Sequence, residues 1–298
     1  MSQPIKRSHC PRMETRVATA RSGSHGLNAN IWLIDLVRGG SMRFGFNEGG
    51  DASAIWSPDG RKIAFASIRN GPCEIFLKDA NSAAPEELFL KSAENKYPES
   101  WSPDGRVLLY SALRPETGYD LWTVPLDGDH KPTPFVQSVY NENDAAFSPD
   151  GRWVAYVSDL SGVPEVYVRP YSASDKSGGQ WMIWNGGGSE PRWRRDGKEL
   201  LYLAGQKLMS ADVFARGSQF RASRPKPLFD VAFVPGTFGP PRNWDISPDG
   251  NKFLVKTATR SVALPIHVLL NWTAAWVVSC GGFRRRAQSF NRAGFVAG

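Results

Sequence analysis

The chain is short of cysteine, short of histidine and free of long apolar runs, and each shortage removes a class of protein. No stretch of 18 apolar side chains occurs anywhere in its 298 residues, so no segment reads as a membrane-spanning helix. The 3 cysteines, Cys10, Cys73 and Cys280, are odd in number and far apart, which fits neither a disulfide framework nor a paired-thiol metal or redox motif. The 4 histidines, His9, His25, His130 and His267, never fall as His-x-x-x-His, the helical spacing a zinc hydrolase uses. Behind the basic N-terminus no apolar segment follows, so the chain as written lacks a secretory signal, and on that ground a cytoplasmic location is expected.

Acidic residues are scarce only at the ends. The net charge is +7, a balance that suggests a polyanionic partner. Residues 1–26, however, hold five bases (Lys6, Arg7, Arg12, Arg16, Arg21) against Glu14, and residues 277–298 hold Arg284, Arg285, Arg286 and Arg292 with no acid. Without them, 27 bases face 28 acids, so the body of the chain is neutral and no nucleic-acid partner is expected. Residues 1–26 and 277–298 read as appended, disordered tails.

What is abundant points to strands and turns. With 11 Trp, 16 Phe and 8 Tyr beside 29 Gly and 22 Pro, the composition suits many short strands. One motif recurs five times: Trp56-Ser57-Pro58-Asp59-Gly60, Trp101-Ser102-Pro103-Asp104-Gly105, Phe147-Ser148-Pro149-Asp150-Gly151, Trp193-Arg194-Arg195-Asp196-Gly197 and Ile246-Ser247-Pro248-Asp249-Gly250, at intervals of 45, 46, 46 and 53 residues. Proline presets φ at the first central turn position, aspartate tolerates the second, and glycine supplies the positive φ that closes a hairpin. A β-rich run apolar on both faces follows each turn, then a third strand, then a less apolar fourth. A period in the forties holding four strands is β-propeller spacing.

The propeller is expected over residues 27–276. Residues 31–36 read as a third strand and 42–46 as a fourth, with no first or second before them. The count allows five blades, or six with the first incomplete; six is the design preferred here. The turn aspartates suggest a ring of ligands, but each stands where its own turn requires it. Asp127-Gly128-Asp129 lacks the further oxygen donors of a calcium loop and reads as a plain turn. No metal site and no cofactor are expected.

These repeats resemble the TolB-type propellers with WD-like Ser-Pro-Asp-Gly turns. Pro191-Arg192-Trp193-Arg194-Arg195-Asp196-Gly197-Lys198-Glu199-Leu200, the strand Pro164-Glu165-Val166-Tyr167-Val168 and the closing Leu270-Asn271-Trp272-Thr273-Ala274 resemble the C-terminal sensor region of bacterial serine/threonine protein kinases. That resemblance implies an extracytoplasmic accessory region. The kinase catalytic motifs are absent, as is the Gly-x-Ser-x-Gly nucleophile elbow of a propeller-associated hydrolase; Gly187-Gly188-Ser189-Glu190-Pro191 fails at its last position.

The expectation is therefore a non-catalytic module that binds a protein or peptide partner, with a small-ligand sensor or a hydrolase-associated propeller as alternatives. Its binding residues are expected at the channel mouth, three to five positions before each repeat's aromatic: Asp51, Tyr97, Asp144, Glu190, Arg242 and Asn243. This mixed acidic, aromatic and basic rim suits a peptide or small polar ligand better than a phosphate backbone.

Overall fold

Each Ser-Pro-Asp-Gly segment closes on itself before it meets the rest of the chain. In a computed structural model, which describes residues 15–22, 29–171, 179–231, 242–247, 249–256, 266–270 and 276–279, Ser57 Oγ donates to Asp59 Oδ1 at 2.6 Å, and the Lys62 amide donates back to Ser57 Oγ at 2.9 Å. Gly60, at φ +67°, donates to the Ser57 carbonyl at 2.9 Å. The same set recurs at Ser102 and Asp104 and at Ser148 and Asp150. In the fourth copy, where serine gives way to arginine, Arg194 Nε donates to Asp196 Oδ1 at 3.0 Å instead. Ser247 and Asp249 pair likewise, with Gly250 at φ +73°; Pro248 lies outside the described residues. Burial opposes ionisation of Asp59 and Asp104, yet the serine hydroxyl and the amide two positions on outweigh it and hold both carboxyls below their usual range.

These turns join strands in six antiparallel sheets. Blade one holds β1 (Arg16–Ser22), β2 (Ala29–Asp35) and β3 (Ser41–Arg43); blade two holds β4 (Asp51–Trp56), β5 (Lys62–Ser67), β6 (Glu74–Asp79) and β7 (Glu87–Leu90). Blade three is β8 (Asn95–Trp101), β9 (Val107–Arg114), β10 (Gly118–Pro125) and β11 (Thr133–Val136), and blade four is β12 (Glu142–Phe147), β13 (Trp153–Ser158), β14 (Glu165–Pro170) and β15 (Trp181–Met182). Blade five is β16 (Ser189–Trp193), β17 (Glu199–Ala204), β18 (Lys207–Arg216), β19 (Gln219–Ala222) and β20 (Lys226–Asp230); blade six is β21 (Trp244–Ile246), β22 (Lys252–Lys256), β23 (Ile266–Leu270) and β24 (Trp276–Ser279). Among the described residues the protein is an all-β propeller of six blades.

Alternation along the second strands seals each blade against two neighbours. Leu108 and Tyr110 enter a cluster with Ile55 and Ala64 of blade two, while Leu109, between them, enters one with Phe147 and Tyr156 of blade four. Side chains on opposite faces of one strand thus serve different cores, and five such clusters separate the six blades in succession. The turns pack as well. A Cβ built on Gly151 would stand 3.4 Å from Pro103 Cδ, and one on Gly105 would stand 3.9 Å from Pro58 Cδ, so each proline lies over the next blade's glycine.

The structure moves three expected boundaries. Arg16–Ser22, assigned to the N-terminal tail, is β1, paired throughout with β2; no turn motif announces it, so its alternation was the only sequence signal. The final blade has four strands, not three, because β24 crosses the expected boundary at residue 277 and pairs with β23. Blade five carries an extra hairpin: β18 runs past its sheet and turns back at Gly217, φ +60°, into β19. Phe220 of that hairpin packs on Trp153, Trp181 and Trp193 with ring centroids 5.2, 5.8 and 6.2 Å away. Residues 1–14 and 280–298 lie outside the described residues.

Candidate functional site at the propeller axis

The innermost strands do not run straight to their turns. In β4, β8, β12 and β16 the ladder slips between Ala52 and Ile55, Pro98 and Ser100, Asn143 and Ala146, and Ser189 and Arg192. A β-bulge leaves its extra residues unpaired and re-aims their side chains. Ser53, Asp144 and Glu190 sit at the bulges with φ near +50°, a region costly for non-glycine residues and best tolerated by aspartate and asparagine.

Together the bulges build a relay from blade to blade. The Asp144 backbone N–H faces the Glu99 carboxylate and favours its charged form, the Glu190 N–H donates to Asp144 Oδ2 at 3.4 Å, and the Asn243 N–H donates to Glu190 Oε2 at 2.7 Å. Asn243 Nδ2 adds a second bond to Glu190 Oε1 at 2.7 Å. Arg242 reaches across to the opposite side, where Nη2 meets the carbonyls of Pro98 and Glu99 at 3.0 and 2.7 Å and Glu99 Oε2 at 3.2 Å. Ser111 Oγ also donates to Glu99, at 2.8 Å.

Two of these buried carboxyls, Asp144 and Glu99, are difficult to ionise. Burial, reinforced by the charges of Glu99 and Glu190, pushes the Asp144 carboxyl well above its usual value, with Arg192 and Arg242 opposing. Burial also raises Glu99, against the pull of Arg242 and the Ser111 hydroxyl. Beside this cluster opens a cavity of 1590 Å³, lined at the axis by Glu99, Arg192, Arg242 and Asn243 and walled outward by the turns of several blades. A pocket presenting carboxylates and guanidinium groups side by side can hold a ligand carrying both charges.

Of the six residues expected at the channel mouth, Asp144, Glu190, Arg242 and Asn243 meet at the axis. Asp51 and Tyr97 do not. Asp51 is fully buried within the first two blades, with Asn47 and Arg69 at 3.4 and 3.5 Å from Oδ1, and a Cβ on Gly45 would overlap its Oδ2. Tyr97 packs with Ala66 and Cys73, its ring 6.1 Å from Tyr119. Glu99 and Arg192 belong to the site and were missed. Counting back from the aromatic brings one to Pro98, but proline cannot take positive φ; Pro98 stays in the ladder opposite Tyr110, and the bulge passes to Glu99.

Comparison with known proteins agrees with this architecture. No family model matches the chain. An uncharacterized protein of Agrobacterium fabrum, Atu1656, is 27% identical over 213 residues, covering 66% of this chain and 66% of that protein. YuxL of Bacillus subtilis, named an uncharacterized peptidase, is 26% identical over 171 residues, covering 45% of this chain and 25% of its own length. The chain therefore spans less than two thirds of either relative. Among solved structures, TolB from Acinetobacter baumannii superposes with a TM-score of 0.67 at 17% identity over 86% of this chain and 61% of that one. The fold is the TolB-type β-propeller.

Oligogalacturonate lyase from Vibrio parahaemolyticus superposes with a TM-score of 0.55 at 14% identity, covering 88% of this chain and 74% of that one. The expectation that the chain has no enzymatic role does not stand. Propellers of this shape include a lyase, and one relative in sequence is named a peptidase; a missing hydrolase motif is no argument against catalysis on this fold.

Proposed function

We propose that this propeller is a recognition module that takes a polar, peptide-like ligand at the axial end of its cavity. The observation that carries this reading is the juxtaposition of Glu99 with Arg242 and Arg192 where the cavity reaches the axis, with the buried Asp144 beside them. Carboxylates there suit an ammonium or guanidinium group, and the arginines suit a carboxylate, the two charges a peptide carries at its ends and side chains. The match to a quarter of a protein named a peptidase supports a hydrolytic context, with the propeller selecting what reaches a separate catalytic domain. A second reading, the sensor part of a signalling kinase, rests on the resemblance of three runs, residues 164–168, 191–200 and 270–274.

Titration calorimetry with short peptides carrying free termini and one Lys or Arg tests the proposal. Saturable binding is expected, at least tenfold weaker in Glu99→Gln. Absence of heat at millimolar peptide in the folded chain would overturn the reading. Assaying peptide cleavage in the same samples separates recognition alone from turnover.

A further inference from the structure

Blades two and four carry a buried carboxylate at the same place and satisfy it differently. Asp51 opens β4 and pairs with Ser67 of β5, while Glu142 opens β12 and pairs with Ser158 of β13. An offset of 91 relates the two blades here, and the hairpins that follow are equal in length, Ser67 to Glu74 and Ser158 to Glu165. Both turn on a glycine at positive φ, Gly71 at +110° and Gly162 at +92°. Position by position, the two hairpins can be compared directly.

In blade two the hairpin brings a guanidinium back to its carboxylate. Arg69, two positions past Ser67, donates Nε to Ser67 Oγ at 2.8 Å and places Nη2 3.5 Å from Asp51 Oδ1. The same two steps from Ser158 arrive at Leu160. Leucine brings no charge and no donor. Glu142 is 2% exposed, and among the described residues its Oε2 has no hydrogen-bond partner; the other oxygen accepts from the Ser138 hydroxyl at 2.5 Å.

A cavity of 230 Å³ lies at this carboxylate, lined by Glu142, Ser158, Tyr156, Leu160 and Tyr140 among others. It shares no lining residue with the axial cavity, and it sits at the start of β12, the end away from the Ser148–Gly151 turn. Tyr140 and Leu160 are 37% and 42% exposed, so they mark where it meets solvent. Burial pushes the Glu142 carboxyl up to about 7 against the Ser138 hydroxyl; Asp120 and Asp159 add to the rise, each more strongly than Arg169, also at the cavity, offsets it. Positive charge is in short supply here. A cation with N–H donors would pair Oε2 and favour the ionised carboxylate at once, and the planar, weakly hydrated guanidinium is the cation best suited to such a buried pair.

We propose that this cavity is a second binding site, taking the guanidinium group of a ligand where blade two uses its own Arg69. The site stands independently of the axial one. Methyl NMR of the full chain titrated with ethylguanidinium chloride, read at the Val136 methyls that line the cavity, tests it in wild type, Glu142→Gln and Leu160→Arg. Saturable shifts are expected in wild type, with at least tenfold weaker binding in both variants, because Glu142→Gln removes the charge and Leu160→Arg supplies the guanidinium from the chain itself. Leu160 is exposed, so Leu160→Arg carries the test if Glu142→Gln does not fold. Nα-acetyl-arginine amide, titrated alongside, binds as well if the ligand is an arginine of a polypeptide and fails if it is a free guanidinium compound; either result supports the site. No saturable shift at Val136 in wild type, equal affinity in all three proteins, or shifts confined to the axial residues would overturn the proposal.

Discussion

Asn243 holds Glu190 by both carboxylate oxygens, its backbone and side-chain nitrogens each 2.7 Å away. One residue on blade six thereby fixes the bulge of blade five, where Glu190 stands at φ +49°. Asn243→Ala removes one of the two bonds and should cost about 1–3 kcal/mol in urea unfolding at pH 7. Asn243→Asp should cost more at pH 7, because a second carboxylate then faces the first, and the excess should shrink as the pH is lowered to 4.

Asp144 carries a pH dependence of defined sign. Its folded pKa is raised, so the folded state holds a proton that the unfolded chain releases near its ordinary carboxyl value. The stability this contributes is full below that value and is lost as pH rises through the folded pKa. Asp144→Asn removes the titration and keeps a side chain that tolerates φ +50°. Wild type and variant should therefore agree at pH 4, and the variant should be clearly the more stable at pH 8, read as the difference in urea midpoints.

The turns make a sharper test of backbone physics. Gly151 has φ +71° and lies under Pro103, so Gly151→Ala should cost about 1–2 kcal/mol from the left-handed conformation alone, with the close contact adding to it. Gly40→Ala meets nothing within 4 Å and should stay within about 0.5 kcal/mol of wild type. Thermal melting of the pair reports both.

Two tryptophans at equivalent repeat positions should respond differently to the same change. Trp193→Phe removes the bond from Nε1 to the Ala146 carbonyl and should lose about 1 kcal/mol. Trp101→Phe removes a buried nitrogen that has no partner, so its cost should be smaller, confined to packing against Leu108 and Tyr110. Equal losses would refute this account of the interblade bond.

The repeat was legible because its turn is local. Ser57, Pro58, Asp59 and Gly60 satisfy one another within five residues, and nothing distant is needed to recognise them. Asp144, Glu190 and Asn243 could be found by counting three positions back from the aromatic. That count fails in blade three, where Pro98 holds the ladder and passes the bulge to Glu99; Asp51 and Tyr97, five and four positions back, fall off the axis because a slip of one or two residues sends a side chain to a different blade face. The role of Arg242 was only half visible: position placed it at the axis, but its grip on the Pro98 and Glu99 carbonyls, more than 140 residues away, is set by ring closure. β1 escaped because no turn motif precedes it.

The additional hairpin of blade five works as a strap. Phe220 lies among Trp153, Trp181 and Trp193, so parting the fourth and fifth sheets means stripping four aromatic rings from one another at once. In a ring where stability otherwise accrues from one neighbour to the next, this junction joins two blades into a single cooperative unit. When the propeller loosens from elsewhere, these two should be the last to come apart.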